Sequence, residues 1–114
     1  MYKAINGWTK KRIIDQIYQR NNGFASRNKW GECLYRNENN ACPIGCFIPD
    51  KVYHENMEGQ NVTSLLNEWP VITDFMPLPG DALLELQELH DNNNDHDDVR
   101  LALKTWIETN VEEI

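Results

Sequence analysis

The sequence predicts an α+β fold in which about three main helices pack with one short, irregular β-hairpin over about residues 33–48. Apolar residues recur at helical spacing near residues 9–20, 81–90 and 98–112, and each such stripe must be buried against another element. Between the first and second of these helices, Cys33, Leu34, Tyr35 and Arg36 alternate as a half-buried strand, and a second apolar run covers residues 41–48. At 114 residues and 40% hydrophobic content, the chain is long enough for one modest core and too short for two, so residues 1–114 form a single domain.

The first helix carries Ile13, Ile14, Ile17 and Tyr18 as a continuous stripe. Thr9 is its expected N-cap, and Asn22-Gly23 offers the left-handed residue that ends it. The hairpin turns on Asn37, Glu38, Asn39 and Asn40, which sets Arg36 opposite Ala41, Tyr35 opposite Cys42 and Cys33 opposite Ile44. In that register Cys33, Tyr35, Cys42, Ile44 and Cys46 share a face. Pro43 cannot donate to a ladder, and Gly45 marks a bulge or a close approach of backbone.

Residues 48–59 read as a loop containing His54. A short helix through Leu65, Leu66 and Trp69 follows, capped by Asn61 or Thr63 and ended by Pro70. Pro77, Pro79 and Gly80 then form a stiff connector. In the next helix, residues 81–90, Ala82, Leu83, Leu86 and Leu89 face inward and His90 lies one turn beyond Leu86. The run 91–98, DNNNDHDD, reads as a polar turn whose last aspartates cap the final helix at 98–112. Asp91, Asn93, Asp95 and Asp97 match the opening of a calcium loop, but His96 stands at the required glycine and Ala102 at the bidentate glutamate.

The three cysteines admit three chemistries. Cys33, Cys42 and Cys46 serve most simply as small buried hydrophobes on the inner hairpin face. A zinc site would combine Cys33, Cys42 and Cys46 with His90, or with His96 or His54, and needs deprotonated sulfurs about 2.3 Å from one ion. His90 is the preferred histidine of that set because it leaves an ordered helix end. A catalytic site would pair one cysteine with His90 and Asp91, although no family-type signature surrounds any of them. A Cys33–Cys42 disulfide is disfavoured, because diagonal partners stand about 7 to 8 Å apart.

Charge is distributed unevenly. The net charge is −7, yet residues 1–30 hold seven Lys or Arg against one acid, while the remainder holds four against seventeen. Lys10, Lys11 and Arg12 occupy a helix start where the dipole disfavours cations. With Arg20, Arg27 and Lys29, and with Trp8, Phe24 and Trp30 nearby, they form a candidate surface for nucleic acid or for an acidic partner. A pI of 4.8 argues for a solvated face instead. The sequence has no charged start leading into an apolar run and no stretch of membrane-spanning length, so the expectation is a cytoplasmic protein with no membrane partner.

The pattern Cys33-Leu-Tyr-Arg, Cys42-Pro-Ile-Gly-Cys46-Phe-Ile-Pro-Asp50, Met57-Glu-Gly59 and Leu86-Gln-Glu-Leu-His90-Asp91 resembles a group of small proteins of unassigned function encoded by tailed bacteriophages and related bacterial elements. The resemblance covers about residues 33–91 and leaves out the basic first helix. It implies an accessory protein in the host cytoplasm that binds a host protein. The expected function is therefore a non-enzymatic interaction module. Its alternatives are a Cys/His zinc protein, structural or catalytic, and a nucleic-acid binder using the basic helix.

Overall fold

The computed structural model describes residues 1–37, 40–93 and 97–112. It has an α+β architecture: α1 (Lys10–Arg20), a two-stranded antiparallel hairpin of β1 (Arg36–Asn37) and β2 (Asn40–Ala41), α2 (Val62–Glu68), α3 (Gly80–Asp91) and α4 (Val99–Asn110). Short 3-10 turns at Gly45–Phe47, Glu55–Met57 and Pro70–Phe75 join them. α4 packs against both α1 and α3, and α2 covers the other flank of α3. The core lies where these faces meet, with Ile13, Ile17, Leu65, Leu86, Leu103 and Ile107 fully or almost fully buried.

α1 begins where the cap predicts, with Thr9 accepting the Arg12 amide at 3.3 Å. Its end differs from expectation. Asn21 closes it in an extended conformation, and Gly23, at φ +99°, lies two residues later. The Asn21 backbone N–H still meets the Ile17 carbonyl, and its side chain donates to the Phe24 and Ala41 carbonyls and accepts from the Gly23 amide. A buried amide thus joins the helix end to the hairpin.

The hairpin has the expected pairing of Arg36 with Ala41, and Cys42 donates to the Tyr35 carbonyl at 3.1 Å. Glu38 and Asn39 of the turn lie outside the described residues. Beyond Cys42 the ladder stops, because Pro43 has no N–H and Ile44 turns into the helical region. The expected Cys33–Ile44 pairing is absent; Cys33 pairs with Arg27 across an isolated antiparallel bridge. The common cysteine face is accordingly corrected, with Cys42 and Cys46 buried and Cys33 exposed.

Glu58, in the segment expected to be a loop, holds the start of the hairpin. Its carboxylate accepts the Tyr35 amide at 2.8 Å, the Arg36 amide at 3.0 Å and the Tyr53 hydroxyl at 2.6 Å. Hydrogen bonds to a charged acceptor contribute more than neutral ones. Glu58→Ala is expected to cost about 2 to 4 kcal/mol in chemical denaturation, since two backbone donors lose their acceptor together.

Asn61 caps α2 by accepting the Ser64 amide, and Pro70 ends that helix but opens a further 3-10 turn. α4 is capped by Asp98, which accepts the Arg100 amide at 2.9 Å. The helix stops at Asn110, short of the expected 112, because Tyr2 and Val111 pair in parallel through bonds from Tyr2 to Asn110 and from Glu112 to Tyr2. Among the described residues no helix is long and apolar enough to cross a membrane.

Candidate functional site

The C-terminal turn of α3 brings together three of the residues that the sequence marks for chemistry, His90, Asp91 and Cys33. Helical spacing carries His90 into the core below Leu86, where it is fully buried. Its Nε2 accepts the Ser26 amide at 2.9 Å, and its Nδ1 lies 2.8 Å from Asp91 Oδ1. A backbone N–H can only donate, so Nε2 must be unprotonated and the proton must sit on Nδ1, where it is given to the carboxylate. Both ring nitrogens are committed to the protein.

Asp91 is the centre of this network. Burial alone would raise its pKa, but hydrogen bonds from His90, Cys33 and Gln87 outweigh it and hold the carboxyl below the usual range. Gln87 donates to Asp91 Oδ1 at 3.1 Å, and Arg27 donates to the Asp91 backbone carbonyl at 2.7 Å. Ser26 also accepts the Leu34 amide at 2.9 Å. One histidine and one aspartate therefore tie α3 to the 24–28 segment and to the approach of β1.

This arrangement departs from a nucleophilic dyad. Cys33 lies against Asp91, and its thiol is pushed up first by partial burial and then by that carboxylate. The aspartate, with its pKa lowered, is a weak base, and the histidine has no free lone pair to take the thiol proton. Cys42 and Cys46 stand apart from Cys33 in the core. Burial drives the Cys42 thiol strongly upward and the Cys46 thiol up to about 12. Cys42 Sγ accepts the Gly45 amide at 3.3 Å, and the Cys46 thiol points to the Ala41 carbonyl. In native protein a thiol reagent is expected to label Cys33 alone, more slowly than free cysteine at pH 8, and all three thiols in denaturant; mass spectrometry of the adducts reads the count.

Among the described residues no group of three His, Cys, Asp or Glu side chains converges so as to hold a metal ion. Cys33, Cys42, Cys46 and His90, the zinc set expected from sequence, are thus not brought to one point. His54 lies elsewhere, accepting the Asn56 amide and stacked on Trp69 at 5.6 Å. Asp95 and His96, the remaining calcium and zinc candidates, lie outside the described residues.

The six cations of the N-terminal surface are dispersed. Lys10 Nζ donates to the Glu108 carbonyl near the end of α4, which gives its charge a favourable dipole to meet. Lys11 pairs with Asp15 at 2.7 Å, and Lys29 lies over the Trp30 ring. Arg27 is turned to Asp91, on another side. Arg12 and Arg20 share one face of α1 with Gln16 and line a groove of about 350 Å³ walled by Trp8, Phe47 and Phe75. Within it Arg12 stacks 4.6 Å from the Trp8 ring centre, and Arg20 is held by Asp50 at 2.9 Å.

A second groove, of about 420 Å³, runs along α3 beside the Asp91 network. Tyr35, Val62 and Leu84 give it apolar walls, Gln60 and Gln87 amide groups, and Glu88 and Asp91 carboxylates. Among the described residues that line it there is no Lys or Arg. Along the exposed side of α3, Asp81, Leu84, Glu85 and Glu88 follow one another at helical spacing. The sequence marks α3 as a core helix, and the acidic ridge on its outer face is legible only once the inward residues are fixed. No family model, curated protein or solved structure matches the chain.

Proposed function

We propose that the chain is a non-enzymatic, phage-type accessory protein that acts in the host cytoplasm by binding a host protein through its acidic side. The observation that carries this reading is the outer face of α3, where Asp81, Glu85 and Glu88 flank the exposed Leu84 along a groove with acidic lining. A ridge of one sign around an apolar centre steers and orients a basic partner, including a surface that otherwise receives nucleic acid. The Cys33–Asp91–His90 network supports the same reading, since its polar atoms hold segments together.

The test is retention of a host-lysate protein on immobilised wild type and on Asp81→Lys/Glu88→Lys, at rising salt. Retention that falls with salt and is lost in the double variant is expected, because screening weakens contacts between exposed charges. Retention indifferent to both would overturn the reading. Retention that disappears after nuclease treatment and in Arg12→Ala/Arg20→Ala would assign the function to the α1 groove and nucleic acid.

A further inference from the structure

We infer that the chain forms a two-fold symmetric dimer, in which Trp30 of each copy enters the groove between α3 and residues 59–62 of the other. The inference goes beyond the host-binding reading, and a second copy and a host protein exclude each other at Leu84 and Glu88. Its first observation is an exposed aromatic ring on a stiff loop. Residues 26–34 double back on themselves: Leu34 donates to the Ser26 carbonyl at 2.9 Å, Arg27 and Cys33 form their bridge, and Asn28 Oδ1 accepts the Trp30 and Glu32 amides at 3.0 Å each. At the tip Trp30 is 73% exposed, and a Cβ on Gly31 would meet nothing within 4 Å, so the tip stands clear of the body. Tryptophan is highly buried on average, and its ring is a common anchor of interfaces. A loop already held in shape loses little freedom on docking.

The groove is the second observation. At about 420 Å³ it falls in the range of pockets that enclose a ligand group, and Tyr35, Val62 and Leu84 offer apolar surface to an indole. Cys33 lines it and follows Trp30 by three positions, so knob and groove lie within about 10 Å of each other along the chain. A knob and a hole side by side are self-complementary about a two-fold axis between them, since each copy then offers both halves. Charge agrees with shape. Lys29 Nζ sits 4.5 Å from the Trp30 ring centre and travels with it, while Glu88 stands in the groove lining. Neither belongs to an ion pair among the described residues. Glu32, the acid of the same loop, is held back by the Asn28 amide at 3.0 Å. Docking therefore brings an unpaired ammonium to an unpaired carboxylate twice over.

The experiment is analytical ultracentrifugation of the intact chain at physiological ionic strength, with reductant present so that a Cys33 disulfide is not read as the interface. A monomer–dimer equilibrium with a Kd of about 10 to 300 µM is expected, the range of a small interface resting on two anchors. Trp30→Ala, which removes both anchors at once and leaves the core untouched, should raise the Kd at least about a hundredfold. Lys29→Glu and Glu88→Lys should each weaken the dimer about threefold to tenfold, and the double variant should restore it to within about twofold. Glu88→Lys also lowers the net negative charge, so general repulsion between copies would make it strengthen the dimer instead. A monomer up to about 1 mM, a dimer indifferent to Trp30→Ala, open-ended higher assemblies, or a double variant no better than its parents would each overturn the inference. Only the purified chain is needed: a monomer that still retains a host protein removes the dimer and leaves the host-binding reading standing. A dimer that retains none does the reverse.

Discussion

Gly45→Ala is expected to cost about 3 to 5 kcal/mol, most of the stability of a domain at the lower end of the usual range of about 5 to 15 kcal/mol. The backbone angle at Gly45 is one that any residue adopts, so the effect is steric. A Cβ at this position would stand 1.8 Å from the Tyr35 carbonyl oxygen and 2.7 Å from the Tyr35 carbonyl carbon. Both atoms belong to backbone, and that oxygen already accepts the Cys42 amide across the end of the hairpin. Residues 41–48 are all buried, so no free space exists into which the turn can retreat. Overpacking against movable side chains costs about 1 to 3 kcal/mol, and a backbone clash exceeds that. Chemical denaturation of the variant measures it, and a loss below about 1 kcal/mol would mean that the turn does not lie against Tyr35.

His90→Ala is expected to be of similar severity, at about 3 to 5 kcal/mol. Three losses combine: the volume of a fully buried ring, the acceptor of the Ser26 amide, and the donor that helps hold Asp91 ionised. His90→Phe separates them. It restores a ring of comparable size but no acceptor, so it should recover the packing part and leave a deficit of about 2 to 3 kcal/mol for the orphaned Ser26 N–H and the lost bond to Asp91. If zinc held this residue instead, a chelator would reproduce the loss in wild type. On the present account a chelator leaves the unfolding curve of wild type where it was.

The helices were legible because burial repeats along them. Ile13 and Ile17, Leu83 and Leu86, and Val99, Leu103 and Ile107 all stand in the core at helical spacing, within the three stretches where the sequence predicts helices. The hairpin register was legible for a local reason, the short polar turn between two apolar runs. Its extension was not, because the sequence does not show that Cys33 would pair with Arg27, a residue upstream of the hairpin. Of the two roles that the sequence offers Gly45, a bulge or a close approach, the close approach is what the fold uses.

Long-range polar partnerships were the least legible. His90 drew attention as a polar residue on an apolar stripe, but its acceptor role belongs to a backbone amide 64 residues away, and a backbone amide carries no side-chain signal. Glu58 carries no sequence signal for the same reason, since its partners Tyr35 and Arg36 are engaged through their main chain. The cations at the start of α1 looked misplaced against their own helix. Lys10 is explained by a different helix, whose C-terminal carbonyl it meets.

The most direct test of the claim that the cysteine and histidine unit is structural, leaving function to the outer face of α3, is the tautomer of His90 read by long-range proton–nitrogen NMR of the imidazole. A protonated Nδ1 and an unprotonated Nε2 are expected at neutral pH, with neither resonance altered by addition of a chelator. A protonated Nε2, or an imidazole signal that changes when metal is stripped away, would contradict it and return the residue to the chemistry of a metal ligand.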